Sequence, residues 1–595
     1  MEINRRAALK GAAAVLVGSA GLLAERGVSQ AATRGYSLRL NRDQWHYDAT
    51  NDVYYQLGKY YVSKPAAPAY ENLGVYVPGK YLHGTKNSAG LYSVTINRSG
   101  RVGGFTAATA PIVFPVNTPG YAAQQPPTSY SDGDVSAYLE EGFVYVAAGL
   151  RGRDSETSTY YGNAPWGVTD LKSAIRYIRY NADLIPGDTE RIFVFGMSGG
   201  GAQSAVTGAS GDSRLYQPYL KSIGAAFTDL HGRTLSDAVA GAMCWCPITS
   251  LDMANAAYEW NMGQFASSGT RAAGTWTKAY SDDLSDAFAG YVNALALKNA
   301  SGQTLGLTRS ANGRYLAGSY YDNLIDVIET SLNDFLSYTT FPYTQSSGMG
   351  GGPPSGSGFG GPPSGSSTTG GPPSGFGSGG PGGSSASATY KTVEKYFEHL
   401  NSVGTWVELD SSKKTAKVLR LRGFIESQKQ ATKDVGAFDG IVRGATENLV
   451  FGHGTNPLHF ARISQSLIAA NQHRYSKYKD WAVADGASAY DSDLAKTDTV
   501  GENQIYRVNM YNPMYYLSAH YDGYKTSKVA PNWRIRTGIM QGDTANTVEI
   551  NLALALRNLG VRNVDFATVW GEAHTMAETT GQPTTNFIKW VKESV

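Results

Sequence analysis

Apolar positions along the chain fall into two rhythms. Short runs rich in β-branched and aromatic residues occupy 73–77, 112–116, 143–148 and 192–195. Each has the length and makeup of a buried strand. Between the last two, Leu171, Ile175 and Ile178 share one face of a helix, with Asp170 just ahead of them as a cap. The same rhythm returns near the C-terminus. Residues 535–539 and 564–569 read as strands, and Val548, Leu552, Leu556 and Leu559 line a helix that stops at Gly560. Phe587, Ile588 and Val591 mark a closing helix. Glycine is a common helix stop because it adopts left-handed backbone without strain. Strands alternating with helices predict an α/β fold: a mostly parallel sheet with helices on both faces.

From about 250 to 505 the alternation is lost. Long amphipathic helices are predicted at 283–297, 320–338, 390–400 and 458–471, with no parallel-strand pattern between them. The chain therefore reads as a sheet domain, 35–249 and 506–595, interrupted by a large, mostly helical cap at 250–505. Inside the cap, 346–386 is nearly all Gly, Pro and Ser, and GGPPSG recurs from Gly351, Gly360 and Gly370. Such a segment buries too little side chain to offset its ordering entropy and is expected to be a disordered loop. A role as ligand for a polyproline-binding partner stays open, although basic flanks are lacking.

Residues 1–34 set Arg5-Arg6 ahead of an Ala/Gly-rich apolar run and end in small residues around Ser29-Gln30-Ala31-Ala32. That layout predicts a signal peptide, and the paired arginines resemble the twin-arginine type. No later stretch is apolar over the roughly 18 residues a membrane span needs. The mature chain is expected to be exported, periplasmic or secreted, without stable membrane insertion.

Composition narrows the class. With 51 Lys and Arg against 49 Asp and Glu, the net charge is +2, so no field favours a nucleic-acid partner. The two cysteines, Cys244 and Cys246, exclude multi-cysteine metal sites. Two residues apart in a strand, their Cβ atoms stand about 7 Å apart, beyond the roughly 3.5–4.5 Å a bridge needs, so they are expected to be reduced. The nine histidines lack HExxH spacing. No cofactor or metal is expected, with a calcium site built from dispersed oxygens left open.

The sharpest chemical signal is Gly196-Met-Ser198-Gly-Gly200, between the apolar run ending at Phe195 and the helix-compatible Gly201-Ala-Gln-Ser-Ala-Val. A serine at a tight strand-to-helix turn projects its hydroxyl above the sheet, and flanking glycines allow close approach on both sides. A serine needs a base. His574 follows the last strand and precedes the last helix, at the sheet edge that also holds Ser198. Asp543 lies after the 535–539 strand, 31 residues before His574, and is expected to orient the imidazole as the triad acid; a bare helix cap is the alternative. The oxyanion donors are expected to be the amide of Gly199 and one from Asn117 or Thr118, since Pro119 has none.

The chain resembles the bacterial tannases of the α/β-hydrolase type, which are related to feruloyl esterases. The resemblance is carried by Asn72-Leu-Gly-Val-Tyr-Val-Pro78, Ala148-Gly-Leu-Arg-Gly-Arg153, Ala174-Ile-Arg-Tyr-Ile-Arg-Tyr-Asn181 and Gly187-Asp-Thr-Glu-Arg-Ile192. Cys246-Pro-Ile248, Ala257-Tyr-Glu-Trp260 and Trp533-Arg-Ile-Arg536 extend it to both ends of the cap. It implies an α/β-hydrolase with a lid and a serine esterase acting on galloyl or related hydroxybenzoyl esters.

The resemblance further implies that a cap lysine and glutamate read the phenolic hydroxyls. Lys433 and Glu447 match those positions and their spacing of 14. An ammonium can donate to a phenol and a carboxylate can accept from it. One departure stands out. The family carries two aspartates in the acid loop, the first for the histidine and the second for a ring hydroxyl; here these positions are Gln541 and Asp543. Either Asp543 serves as the acid, or His574 works with an amide partner. Competing readings are a hydroxycinnamoyl or small-ester carboxylesterase, a serine exopeptidase, and a non-catalytic extracellular polyphenol- or glycan-binding protein.

Overall fold

The computed structural model describes residues 35–155, 162–345 and 388–595. The expected signal peptide and the Gly/Pro/Ser loop lie outside the described residues. A nine-stranded sheet organises the rest. Its edge is antiparallel: β1 (His46–Asp48), β2 (Val53–Tyr60) and β3 (Asn72–Pro78). The remainder is parallel: β4 (Ile112–Val116), β5 (Val144–Ala148), β6 (Ile192–Met197), β7 (Gly241–Trp245), β8 (Asn532–Gly538) and β9 (Asn563–Val569). Across the sheet the order is β1-β2-β3-β5-β4-β6-β7-β8-β9. The exchange of β4 and β5, the antiparallel β3 and the central β6 define an α/β-hydrolase sheet. Every residue of β4 and β7 is buried, so these strands read as unbroken apolar runs. The outer pair β1 and β2 escapes that pattern because Val-Tyr-Tyr-Gln-Leu-Gly-Lys-Tyr, beside the edge strand β1, is only half buried and carries polar positions.

Helix α1 (Trp166–Tyr180) starts earlier than Asp170. Asp170 is therefore not a cap. It lies inside the helix, fully buried, and clamps Arg151: Nε donates to Oδ2 at 2.8 Å and an Nη donates to Oδ1 at 2.6 Å. Glu71 approaches the same guanidinium at 3.4 Å. Helix α2 (Gly199–Ala209) follows β6 directly.

Between β7 and β8 the chain inserts the lid. Its helices include α3 (Ala254–Asn261), α4 (Trp276–Leu295), α5 (Ser319–Tyr338), α6 (Val393–Leu400), α7 (Leu421–Gln428), α8 (Thr446–Val450) and α9 (Arg462–Tyr475). Helix α4 begins seven residues before the expected 283 because the Thr275 hydroxyl caps it, accepting from the Lys278 amide. Small antiparallel hairpins, Val407–Asp410 with Thr415–Val418 among them, accompany the helices. The lid is bonded to the sheet: the Ser331 hydroxyl donates to the Thr568 carbonyl at 2.9 Å, and Trp570 Nε1 donates to the Tyr396 hydroxyl at 2.7 Å. Helices α10 (Asn546–Leu559), ended by Gly560 at φ 97°, and α11 (Pro583–Glu593) complete the layers. No helix among the described residues is long and apolar enough to cross a membrane.

The Arg151–Asp170 pair anchors the loop after β5. Arg153 in that loop donates from Nε to the Gly120 carbonyl at 2.8 Å, beside the turn that carries Ser198. Removing one partner of a buried ion pair strands the other charge, at a cost of about 3–5 kcal/mol. Asp170→Ala is therefore expected to lower the urea midpoint strongly; an unchanged midpoint would show that Glu71 alone satisfies Arg151.

Candidate active site

The site is built where β6 turns into α2. Ser198 sits at φ 59° and ψ −122°, backbone that costs a non-glycine residue about 1–3 kcal/mol. Its neighbours make the turn feasible. A Cβ on Gly200 would lie 2.0 Å from the Val116 carbonyl oxygen, and one on Gly199 would lie 2.4 Å from that of Thr118. Only glycine lets β4 and its following loop come so close.

His574 meets the serine from the loop after β9. Nε2 lies 2.9 Å from Ser198 Oγ, placed to accept its proton. The approach needs Gly538 at the end of β8, where a Cβ would collide with the Ala573 carbonyl oxygen at 1.9 Å. The other ring nitrogen is not held by Asp543, as expected from chain order. Nδ1 lies 2.6 Å from Gln541 Oε1 and 3.7 Å from the nearest Asp543 oxygen. The physical reason is the direction of the loop. Gln541 points inward and is buried, whereas the Asp543 side chain is 45% exposed.

Behind Gln541 stands a group that sequence reading missed. Gln541 Nε2 donates to Glu549 Oε1 at 2.9 Å and to the Thr537 hydroxyl at 2.6 Å. Glu549 belongs to the first turn of α10 and is completely buried. Lys429, also buried, donates from Nζ to the carbonyls of Gln541 and Thr544. Burial pushes Glu549 up to about 7 and Lys429 down to about 8, each opposed by the other's charge. The lid further grips the loop through Tyr258, whose hydroxyl donates to the Gly542 carbonyl at 3.1 Å.

Of the expected oxyanion donors, Gly199 is the first residue of α2, where an amide has no partner within the helix. The Asn117 amide is already committed to Gln124 Oε1, which removes it from the candidates. Thr118 is buried, and its amide nitrogen lies close to the turn, 3.3 Å from where a Cβ on Gly200 would be.

The lid pair converges on the same place. The half-buried Lys433 holds its ammonium 4.2 Å over the Phe438 ring, while its amide donates to the Tyr258 hydroxyl. Glu447 is buried; burial raises its pKa, and Lys433 and Arg153 pull against that rise. His574 responds to the same charges. Burial lowers its pKa, Asp543 opposes, and Lys433 and Lys429 lower it further. Among the described residues no three His, Cys, Asp or Glu side chains converge as a metal site requires.

Fold and site together define an α/β-hydrolase with a lid-like insertion and a serine–histidine pair at the turn after its central strand. Solved structures of bacterial tannases share that architecture. The chain is similar to the tannin acyl hydrolase of Lactobacillus plantarum at 24% identity, covering 94% of this chain and 98% of that one with a TM-score of 0.65. For the Fusobacterium nucleatum tannase the figures are 23%, 94%, 99% and 0.64. For a tannin acyl hydrolase solved with ethyl gallate they are 25%, 91%, 94% and 0.59. A family model described as BD-FAE matches residues 106–234. No curated protein matches the chain. The tannase resemblance carried by the sequence motifs thus extends to the fold over nearly the whole chain.

The charges around His574 make a directional prediction. In histidine-labelled protein followed by NMR, its imidazole should titrate below the ordinary 6.5. Asp543→Asn removes a charge that favours the imidazolium and should move that titration further down. Lys433→Ala removes an opposing charge and should move it up. No shift in Lys433→Ala would mean that the lid lysine lies outside the electrostatic reach of the histidine.

Proposed function

We propose that this chain is a serine esterase that hydrolyses esters of hydroxylated aromatic acids, galloyl esters foremost, through an acyl-enzyme on Ser198. The observation that carries the reading is the 2.9 Å contact between Ser198 Oγ and His574 Nε2, with the Lys433 charge felt by both His574 and Glu447. A tannin acyl hydrolase of the same fold has been solved with ethyl gallate, which supports the substrate class.

In this mechanism His574 takes the Ser198 proton as Oγ attacks the ester carbonyl. The amides of Gly199 and Thr118 receive the developing oxyanion. The imidazolium then protonates the leaving alcohol, and the acyl-enzyme forms. Water, deprotonated by the same histidine, releases the aromatic acid. Lys433 and Glu447 bind the ring hydroxyls, the ammonium donating and the carboxylate accepting. Asp543 stands at the mouth of the site as a further acceptor for a ring hydroxyl, leaving Nδ1 to Gln541. The substrate is a small aromatic ester; neither a nucleic acid nor a cofactor has a part. Export is part of the same reading and rests on the leader pattern of residues 1–34.

Ser198→Ala should lower ester turnover by about 10⁶-fold while the fold persists. Retention of most activity would end the covalent mechanism. Lys433→Ala, Glu447→Ala and Asp543→Asn should each weaken kcat/KM for gallate and protocatechuate esters by roughly 5- to 150-fold, the worth of one buried hydrogen bond. Unsubstituted benzoate esters should change far less. Equal losses on both would assign these residues to lid support, and a preference for ferulate over gallate would move the substrate to hydroxycinnamoyl esters.

A further inference from the structure

A buried carboxylate one amide removed from the base has no part in the mechanism above. The line runs from Ser198 Oγ to His574 Nε2 at 2.9 Å, from Nδ1 to Gln541 Oε1 at 2.6 Å, and from Gln541 Nε2 to Glu549 Oε1 at 2.9 Å. We propose that Glu549 is a positioning residue for His574: through the Gln541 amide it orients the imidazole as a directly bonded carboxylate does in a serine triad. The proposal rests on the esterase reading for its chemistry but on the hydrogen bonds for its geometry.

The direction of each bond carries the argument. An amide has two faces, and a rotation by half a turn would present NH₂ to the histidine. An ionised carboxylate can only accept. Glu549 Oε1 therefore demands the NH₂ of Gln541, and the carbonyl oxygen must face His574. A carbonyl oxygen can only accept, so Nδ1 must carry the hydrogen. Nε2 is then left with a lone pair toward Ser198 Oγ, the tautomer a general base needs. Gln541 without Glu549 would have no such preference.

The surroundings keep the carboxylate fixed. Thr537 and Thr544 donate to Glu549 Oε1 at 3.2 and 3.3 Å, while Oε2 is buried with no hydrogen-bond partner among the described residues. The first turn of α10 favours an anion at this position. Lys429 supplies the nearest opposing charge from the lid, while Cys246 and Asp543 complete the titratable groups around the pair. Because burial raises Glu549 to about 7, protonation of this group removes the acceptor-only character on which the lock depends. Activity should therefore fall toward acid pH as Glu549 takes up its proton.

The test uses the full chain and reads Ser198 with a fluorophosphonate. Ser198 Oγ forms the O–P bond, fluoride leaves, and His574 takes the proton, so no ester is required. E549Q should slow labelling and kcat by between about tenfold and the roughly 10⁴-fold loss that follows replacement of a directly bonded triad carboxylate. KM should change little, and the acid limb should move to lower pH as the Glu549 ionisation disappears. E549Q/Q541E exchanges the two groups atom for atom, placing the carboxylate on Nδ1 and the amide behind it. Its gain over E549Q should be at least tenfold larger than the gain of Q541E over wild type, a non-additivity that a structural role for Glu549 would not produce. Labelling by E549Q within twofold of wild type, or no such non-additivity in the exchanged variant, would overturn the proposal. Should E549Q fail to fold, the wild-type protein decides. There 15N NMR of His574 reads the tautomer directly: a hydrogen on Nδ1 supports the relay, and a hydrogen on Nε2 ends it. Intact labelling with no ester hydrolysed would instead reject the substrate class and leave the relay standing.

Discussion

The chemistry of this molecule depends on how closely three stretches of backbone approach one another at Ser198. The turn holds φ at 59°, and Gly199 and Gly200 press against the loop after β4 at distances that no side chain would survive. This strain persists because β6 is central in the sheet, bonded in parallel to β4 on one side and β7 on the other. The sheet cannot relax one turn without disturbing both neighbours. What results is a hydroxyl raised above the carboxyl edge of the sheet, with the amide of Gly199 free at the start of α2. Everything else in the site is brought to that point.

The lid takes part in this arrangement. Its grip on the loop after β8 comes from Tyr258, Thr432 and Lys429, which bond carbonyls at Gly542, Gln541 and Thr544. These are backbone groups of the loop that carries Gln541. The insertion that supplies Lys433 and Glu447 therefore also fixes the partner of His574. The proposed ring recognition and the orientation of His574 share a support, so a lid displaced from the sheet would lose both together. The Lys429 ammonium is well suited to this because it satisfies two carbonyls and faces the buried Glu549 at the same time.

Much of this was legible in the sequence. Apolar runs of the right length located β4, β6, β8 and β9 to within a few residues, and the glycines around Ser198 marked the turn. Order along the chain brought His574 to the serine. The partner of its other nitrogen was not legible, because residues two apart in a loop differ only in which way the backbone turns them. Gln541 faces inward and Asp543 outward, and no periodicity encodes that. Asp170 misled for a related reason: an aspartate near a helix start reads as a cap, whereas here its partner is Arg151, far from any local pattern. Nothing in the sequence marks Glu549 or Lys429, one in the first turn of α10 and one just after α7. Their burial follows from packing between lid and sheet, which sequence spacing does not carry.

An amide in place of an acid changes the electrostatics of the base. A carboxylate bonded directly to Nδ1 stabilises the imidazolium at contact distance, whereas Gln541 offers only a dipole there. The deficit is offset in part by moving the negative charge back by one residue, to Glu549, where solvent is excluded and screening is weak. Asp543 adds a second, wetter charge at 3.7 Å. The two carboxylates thereby act separately. Glu549 is sealed behind the histidine, where the proposal has it hold the tautomer, while Asp543 is exposed, as the proposed contact with a substrate hydroxyl requires. A site with both carboxylates directly against the imidazole would force one of them to take up a proton. The glutamine keeps them apart, and in doing so leaves the base dependent on a helix terminus and a lid lysine rather than on a neighbour in its own loop.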